Sequence, residues 1–392
     1  MDQFEEEMDN RSMASFDHPN REKLHSSEVS YKNKYSWSST YYGVMNIYFY
    51  CVSKYLSEKS KDYMIIKDDA NKEFILPNGE TFNFLISGYA VYSINDIIVI
   101  YSCDYTWLKI QSNKDITKII DEINHYIGNN NPFIGQNLTI DNTSIQSELV
   151  LLKTFDIGAN DVILEEEQKE EILDNTIFHL TKLDGNNGII IHGQPGVGKS
   201  RVCTAIAREA NKHNITTITI TRVPSFEFLN IVINLLFKKC IIFWEDIDAI
   251  GESRINGAAS SHITELLQFI NGVGTTKSSI VNIATTNHLT LLDDAIKNRP
   301  VRFNRIIEIK LPNKQILKEL FEYYLGKDLE NIYLKYVEQQ DKLKFTGSHV
   351  KEISRTAKML SIKYNLPISE ILHEAINKIK DSFKTVINEV GF

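Results

Sequence analysis

Several features that would assign a 392-residue chain to a specialised class are missing from this sequence. No stretch approaches the ~18 apolar residues of a membrane-spanning helix. The acidic N-terminus also differs from a signal or transit peptide. The formal charge of −8 argues against a protein that coats nucleic acid, because such proteins carry a basic surface. We therefore expect a soluble, cytoplasmic protein without a transmembrane segment.

Cysteine is scarce and shows no metal-binding pattern. The four cysteines form no C-x-x-C pair and no zinc-ligand spacing; they are Cys51, Cys103, Cys203 and Cys240. Reduced thiols in an intracellular compartment explain them best. What remains is an ordinary globular composition, with 42% hydrophobic and 24% charged residues. The length allows two or three domains, each with its own core.

The N-terminal third predicts a disordered tail and then an α+β domain. Residues 1–30 are polar and poor in β-branched residues, which is typical of disorder. The domain over 31–128 is expected to contain helices near 41–52 and 115–127 and strands at 63–67, 74–76, 82–92, 97–102 and 106–111. Asp115 and Gly128 are the expected caps of the second helix. The many aromatic residues of the 31–128 domain indicate a packed core. A face of this domain that binds a client or an adaptor is the alternative.

The next region predicts a linker and then alternating strands and helices. Asn129-Asn130-Asn131-Pro132 opens a stretch, 129–153, that is expected to be a linker. An acidic helix starts near Glu165, and its charged residues indicate a solvated face. Strands are expected at 188–192, 216–221, 240–244 and 280–284, with helices at 201–210 and 226–237 between them. This alternation favours a parallel sheet with helices on both faces and a ligand at the carboxyl ends of its strands.

The segment GQPGVGKS matches the phosphate-binding pattern G-x-x-x-x-G-K-[ST]. A predicted strand precedes the segment and an Ala-rich helix follows it, which is the context that the motif requires. Its backbone N–H groups can surround phosphates, Lys199 can reach the β- and γ-phosphates, and the Ser200 hydroxyl can ligate Mg²⁺. The candidate nucleotide-binding residues are Gly193, Gln194, Pro195, Gly196, Val197, Gly198, Lys199, Ser200 and the adjoining Arg201.

Two carboxylates end the apolar strand expected at 240–244. Glu245 and Asp246 stand where a P-loop enzyme places one carboxylate near Mg²⁺ and the next beside the attacking water. Most such proteins have Asp before Glu, whereas this chain has the reverse order. On position alone Glu245 supports the metal and Asp246 activates water, and the inverted assignment stays open.

Polar and basic residues follow the next strand. Asn287 ends the strand at 280–284, where its amide can orient water against the γ-phosphate. Arg299, Arg302 and Arg305 lie within seven residues further on. A solvated surface is the ordinary explanation of such a cluster. In a ring ATPase, arginines here reach a neighbour's site and neutralise charge in the transition state.

These motifs, taken in order, resemble the AAA family of ring ATPases over about residues 154–385. GQPGVGKS matches the Walker A motif, IIFWEDIDAI matches Walker B, and ATTNH matches sensor 1. LDDAIKNRPVRFNRIIEI matches the second region of homology and implies arginine fingers at Arg302 and Arg305. The resemblance implies a P-loop α/β core over 154–311 and a helical lid over 312–392. Val162 or Ile163, just before the acidic helix, is the expected adenine contact.

Within the family, the sequence is most similar to the branch of the mitochondrial Rieske-protein translocase and its plant and viral relatives. The Glu-Asp order of EDID and the stretch SSHITELLQFINGVGTTKSSIVNIATTNH carry this similarity. The span 222–239 is also short for the aromatic pore loop of threading unfoldases. The sequence departs from the branch at Val301, where the branch has Gly, and in lacking an N-terminal transmembrane helix. Its Ile-, Asn- and Lys-rich composition hints at a viral or phage origin.

The resemblance implies an Mg²⁺-dependent ATPase that forms a homo-hexamer or homo-heptamer and remodels or translocates a protein client. Each ATP site would be shared between neighbouring subunits. The alternative is a DNA-directed ATPase such as a loader or initiator, for which the acidic pI near 5.8 is unfavourable. A nucleotide-gated scaffold with little turnover is a third hypothesis, which the order of Glu245 and Asp246 keeps open.

Overall fold

The computed structural model describes residues 42–75, 81–95, 97–104, 107–112, 117–141, 148–152, 161–183, 185–221, 226–248, 266, 269–270, 278–291 and 303–389. The expected tail at 1–30 and the expected cap Asp115 lie outside these residues. The chain divides into two compact units. One comprises residues up to Pro132 together with Asn142–Glu148, and the other comprises Phe133–Asp141 and the residues from Leu149 onward.

The first unit is an α+β fold built on an antiparallel sheet. Its strands pair in sequence order, β1-β2-β3-β4. The elements are α1 (Tyr42–Lys59), β1 (Asp62–Ile75), β2 (Thr81–Ile94), β3 (Ile97–Asp104), β4 (Trp107–Ser112) and α2 (Thr117–Asn130). Two strands were expected at 63–67 and 74–76, but both belong to β1. This strand continues through the polar residues between them by shifting its register against β2. Gly128 is not a C-cap, because α2 continues to Asn130.

Aromatic and aliphatic side chains form the core of the first unit. Tyr48, Tyr50, Tyr92 and Tyr101 are all buried, and the Tyr101 hydroxyl donates to the Leu85 carbonyl oxygen at 3.2 Å. These tyrosines therefore pack inside the unit, in agreement with the prediction that the aromatic residues of this domain form a core.

The second unit is built on a seven-stranded sheet in the order β11-β7-β10-β9-β8-β5-β6. All neighbours from β11 to β5 pair in parallel. The strands are β5 (Asn137–Asp141), β6 (Glu148–Leu151), β7 (Asn187–His192), β8 (Thr216–Ile220), β9 (Lys239–Trp244), β10 (Ser279–Thr286) and β11 (Arg305–Glu308). The prediction of a linker over 129–153 was wrong, because this stretch contains β5 and β6 of the sheet. The Leu152 N–H donates to the Asn137 carbonyl oxygen at 2.8 Å.

The central strands are buried on both faces, as in parallel sheets that helices cover. All eight residues of β10 are buried, and Ile189, Ile190 and Ile191 of β7 are fully buried. Helices α3 (Glu166–Leu173), α4 (His179–Lys182), α5 (Lys199–Lys212) and α6 (Phe226–Leu236) accompany these strands, and a π-helical turn at Asp174–Phe178 joins α3 to α4. The parallel α/β core that the sequence predicted is confirmed.

The C-terminal part of the second unit is a helical lid. It consists of α7 (Lys314–Leu325), α8 (Glu330–Val337), α9 (Gln340–Leu343), α10 (Gly347–Tyr364) and α11 (Ile368–Glu389). The lid has its own apolar core, in which the ring of Phe321 stacks on Tyr333 with centroids 5.2 Å apart. The Asn313 side chain caps α7, and a capping box between Thr346 and His349 starts α10. Among the helices that the structure describes, none is long and apolar enough to cross a membrane.

Candidate nucleotide-binding site

The P-loop connects the end of β7 to the start of α5. Gly193, Gly196 and Gly198 have φ values of +155°, +80° and +115°, which residues with a side chain adopt only under strain. A Cβ on Gly193 would also collide with the backbone carbonyl of Ile309, beyond the end of β11. The glycines are therefore required by the path of the loop. The N-terminus of α5 supplies free N–H groups and a partial positive charge for phosphates.

Lys199 is the buried cation of this loop. Its Nζ donates to Gly193 O at 2.7 Å, to Gln194 O at 3.1 Å and to Asn287 Oδ1 at 2.7 Å. Burial lowers the pKa of Lys199, and the nearby Asp246 and Asp248 oppose this shift by favouring the charged form. The side chain is thus held by neutral acceptors, and a phosphate would offer it a charged one.

Asp246 and Asn287 extend this network across two strands. The Asn287 amide Nδ2 lies 3.5 Å from Asp246 Oδ1, while its Oδ1 accepts from Lys199. The Asp246 N–H donates to Thr285 Oγ1 at 3.1 Å. The chain of contacts from Lys199 through Asn287 to Asp246 brings together the P-loop, the end of β10 and the turn after β9, as the sequence predicted for parallel strands.

The two adjacent carboxylates occupy different environments. Asp246 is exposed and lines the cavity beside the P-loop, whereas Glu245 is half-buried and is not part of that lining. Burial, and then the negative charge of Asp246, raise the pKa of Glu245. Asp248 is buried as well, and its Oδ1 has no hydrogen-bond partner among the residues that the structure describes. Asp246 and the Ser200 hydroxyl both line the cavity, and they are hard oxygen ligands of the kind that Mg²⁺ prefers.

A cavity of about 600 Å³ lies between the α/β core and the lid. One end is polar and is formed by the P-loop, Asp246 and Asn287. Elsewhere the lining includes the apolar side chains of Val162 and Ile163, the expected adenine contacts, together with polar ones such as Gln168 and Asn313. The cavity is within the size range of small-molecule sites, and its P-loop end and these apolar residues suit the phosphates and base of one nucleotide. The nucleotide-binding residues predicted from sequence that line it are Pro195, Gly196, Val197, Gly198, Lys199, Ser200, Arg201, Val162 and Ile163.

The lid contributes residues to this cavity that the motifs did not reveal. The Ser348 N–H, at the start of α10, donates to Gly196 O at 3.0 Å, so this helix begins directly on the P-loop. Tyr323 and Tyr324, at the end of α7, receive hydrogen bonds from Arg201. Sequence showed only a helix-rich segment here. The signal that could have found Ser348 is Thr346-Gly347, an N-cap residue followed by glycine at the start of α10.

Of the two predicted arginine fingers, the structure describes Arg305, which does not line this cavity. Arg305 is exposed, opens β11 and pairs with Ile189, whereas Glu308 pairs with His192 at the start of the P-loop. Arg305 lies three residues before Glu308 on this strand, so it is about 10 Å farther than Glu308 from the P-loop. Arg302 lies outside the described residues.

Comparison with known proteins agrees with this geometry. Residues 189–311 match the model of the ATPase family associated with various cellular activities (AAA). Proteasome-activating nucleotidases are similar: that of Sulfurisphaera tokodaii is 30% identical over 220 residues, covering 52% of this chain and 56% of its own. That of Saccharolobus solfataricus is 33% identical over 220 residues, covering 52% and 55%. The ATP-dependent zinc metalloprotease FtsH of Mesoplasma florum is 28% identical over 247 residues, covering 56% and 37%.

The chain thus spans about half the length of the nucleotidases that it matches. The matched segment contains the P-loop, the Glu245–Asp246 pair and Asn287, which the structure brings to one edge of the sheet. Residues 189–311 therefore resemble the ATPase domain of the AAA family, and their P-loop and carboxylates are the residues that such a domain needs for ATP and Mg²⁺.

Proposed function

We propose that this protein is an Mg²⁺-dependent ATPase that works as a homo-hexameric or homo-heptameric ring with ATP sites shared between neighbours. The observation that carries this proposal is the distance of Arg305 from the cavity of its own subunit. An exposed arginine at the far end of β11 is positioned to act on another molecule's site. A ring of identical contacts would give every cavity one such arginine.

Each described residue then has a distinct role. Lys199 exchanges its carbonyl partners for phosphate oxygens, and Asn287 orients the attacking water while it contacts Asp246. Asp246 accepts the proton of that water, and Glu245 and Ser200 support the metal. Bound Mg²⁺ neutralises phosphate charge. Arg302 and Arg305 of the next subunit stabilise the charge that develops on the transferred phosphoryl group.

We further propose a protein client. The named activities of the similar nucleotidases and of the metalloprotease support this, because both act in protein turnover. The first unit is the proposed client-binding or adaptor-binding part. Kinship with the Rieske-protein translocase branch stays a prediction, as does a viral or phage origin. In the part of the chain that the structure describes, the four cysteines are buried and form no disulfide, which supports an intracellular location.

ATPase rates and native mass, measured together, test this function. We expect Mg²⁺-dependent ATP hydrolysis, a mass of six or seven subunits with ATP, and no stimulation by DNA. The Lys199→Ala variant, which lacks the ammonium that would bind phosphate, should lose ATP binding while remaining folded. Normal ATP affinity in that variant would contradict the site, a monomeric mass with ATP would contradict the ring, and strong salt-sensitive stimulation by DNA would favour the DNA-directed alternative.

A further inference from the structure

Arg201 is the first residue after the P-loop serine, and its guanidinium joins three separate segments. Its Nε donates to the Asp161 carbonyl oxygen at 3.2 Å, in the segment that leads to Val162. Its Nη1 donates to the Tyr324 hydroxyl at 3.2 Å, and its Nη2 donates to the Tyr323 hydroxyl at 2.9 Å. The four residues that make these contacts all line the cavity: Asp161, Arg201, Tyr323 and Tyr324.

The two tyrosines form an ordered corner around this guanidinium. Their rings meet edge to face, with centroids 5.0 Å apart and an interplanar angle of 88°. The Arg201 Cζ lies 5.1 Å from the Tyr323 ring centroid and 6.0 Å from that of Tyr324, within the range of cation–π attraction. Tyr323 remains 48% exposed, so it has free surface to offer a ligand.

This corner belongs to the apolar part of the cavity rather than to its phosphate end. Leu320, Tyr323 and Tyr324 come from α7, and Val162 and Ile163 face the same space from the segment before α3. Lys199 and Asp246 mark the phosphate end through their contacts with Asn287. A flat heteroaromatic base fits between an aliphatic and an aromatic wall, and aromatic rings bind such bases favourably.

We propose that Arg201 is a positioning residue for nucleobase binding, which holds Tyr323 and Tyr324 against the base end of the ATP site. Three of the five guanidinium N–H groups donate to the two hydroxyls and the Asp161 carbonyl oxygen, so its hydrogen bonds are directed to these segments rather than to a phosphate. Because Arg201 follows Ser200 directly, the lid is fixed to the helix that carries the phosphate-binding residues. The inference rests on the proposed function, since it assumes that ATP occupies the cavity.

Two ligands distinguish the contribution of the base to binding from that of the phosphates. They are Mg²⁺–ATP and Mg²⁺ with inorganic tripolyphosphate, which has no base. Calorimetric titration of the full chain compares wild type with Arg201→Lys, Tyr323→Phe and Tyr323→Ala. Lysine keeps the charge and loses the planar fork. We expect Arg201→Lys and Tyr323→Ala to weaken ATP binding about tenfold and to leave tripolyphosphate binding unchanged. Tyr323→Phe, which keeps the ring and loses one acceptor, should have a smaller effect of about threefold.

Steady-state kinetics and a charge control complete the test. We expect Arg201→Lys to raise the KM for ATP and to keep kcat within about twofold of wild type. The reason is that the lost interaction stabilises bound ATP and the transition state equally. Arg355→Met removes an exposed arginine of α10 that is not part of the cavity lining and should change neither ligand's affinity. Equal losses for ATP and tripolyphosphate in Arg201→Lys would show a phosphate contact and overturn the proposal, as would unchanged ATP affinity. If wild type binds neither ligand, the proposed function itself fails.

Discussion

Asp246 adopts a left-handed backbone conformation directly after Glu245, with φ of +47°, and its N–H is held by Thr285 Oγ1. Asp and Asn tolerate this conformation better than longer side chains do, because their short polar groups can bond locally. The turn therefore favours Asp at the second carboxylate position, and the unusual Glu-Asp order agrees with the local backbone.

Asp246→Asn keeps this backbone preference and removes the carboxylate. We expect ATP to bind with nearly wild-type affinity and hydrolysis to fall by about 10²- to 10⁴-fold, the usual contribution of a general base. Single-turnover hydrolysis and ATP titration measure the two effects separately. The exchanged pair Glu245→Asp with Asp246→Glu is the matched control. This double variant should also lose activity, because Glu would then occupy the left-handed backbone position. Full activity of Asp246→Asn would show that Asp246 is not the general base.

Glu245 makes the stability of the nucleotide-free protein depend on pH. Its pKa is raised in the folded state, chiefly by burial, so the folded form holds a proton at pH values where the unfolded chain has released it. The stabilisation is complete below the unfolded pKa of about 4.3 and is lost as pH rises through the raised folded pKa.

Glu245→Gln removes this titration. We expect the variant's Tm to exceed that of wild type at pH 7.5 without nucleotide, and the difference to vanish towards pH 4. Thermal unfolding across this pH range tests the expectation, and a difference that does not change with pH would contradict it. Added Mg²⁺–ATP should stabilise the variant less than wild type, because a metal-supporting carboxylate is gone.

At the scale of elements, the contact between the P-loop and α10 connects the ATP site to the lid. Gly196 has φ of +80°, and a Cβ there would lie 2.9 Å from Thr346 Oγ1 and 3.0 Å from Ser348 Cβ. These two residues start α10, and Ser348 donates its N–H to Gly196 O. A side chain at Gly196 would push the helix away from the loop.

Gly196→Ala should therefore loosen the lid more than Gly198→Ala does. Both glycines have positive φ, but a Cβ on Gly198 meets nothing within 4 Å, so the control isolates backbone strain of about 1–2 kcal/mol. We expect faster amide hydrogen exchange at the start of α10 in Gly196→Ala only, with a larger loss of ATPase activity. Identical exchange in both variants would mean that the contact does not hold the lid.

The elements best predicted from sequence were those with strong local patterns. The strands β7 and β9 contain continuous apolar runs, which require burial on both faces, and the P-loop glycines dictate the turn between β7 and α5. β5 escaped notice because Asn, Thr and Asp interrupt it, and it becomes a strand by pairing with β8. β6 escaped notice because it has only four residues, and its neighbour in the sheet is β5. The polar end of the site was predicted for the same local reasons.

The apolar end of the site was only partly predictable. Val162 and Ile163 were proposed as base contacts, but the partners of Arg201 are more than 120 residues away in sequence. Their meeting depends on how the lid packs on the α/β core, and neither Tyr323 nor Tyr324 belongs to a motif. The family resemblance implied a helical lid over 312–392, without indicating which of its residues face the cavity.

At the scale of the whole molecule, the central claim is that one subunit completes the ATP site of another. The Asp246 network belongs to the cavity, and Arg305 stands at the opposite end of β11. Arg305→Ala should bind ATP normally and lose hydrolysis by about 10³-fold, in the range known for arginine fingers. The same result is expected for Arg302→Ala.

Mixing two inactive variants tests this claim most directly. Arg305→Ala retains an intact Asp246, and Asp246→Asn retains an intact Arg305. When the two are combined in equal amounts before ATP is added, roughly a quarter of the interfaces in a random ring would pair both intact residues. We predict that the mixture regains up to about that fraction of the wild-type ATPase rate. A mixture no more active than its two components, at every ratio and with mixed rings shown by mass, would contradict the shared site.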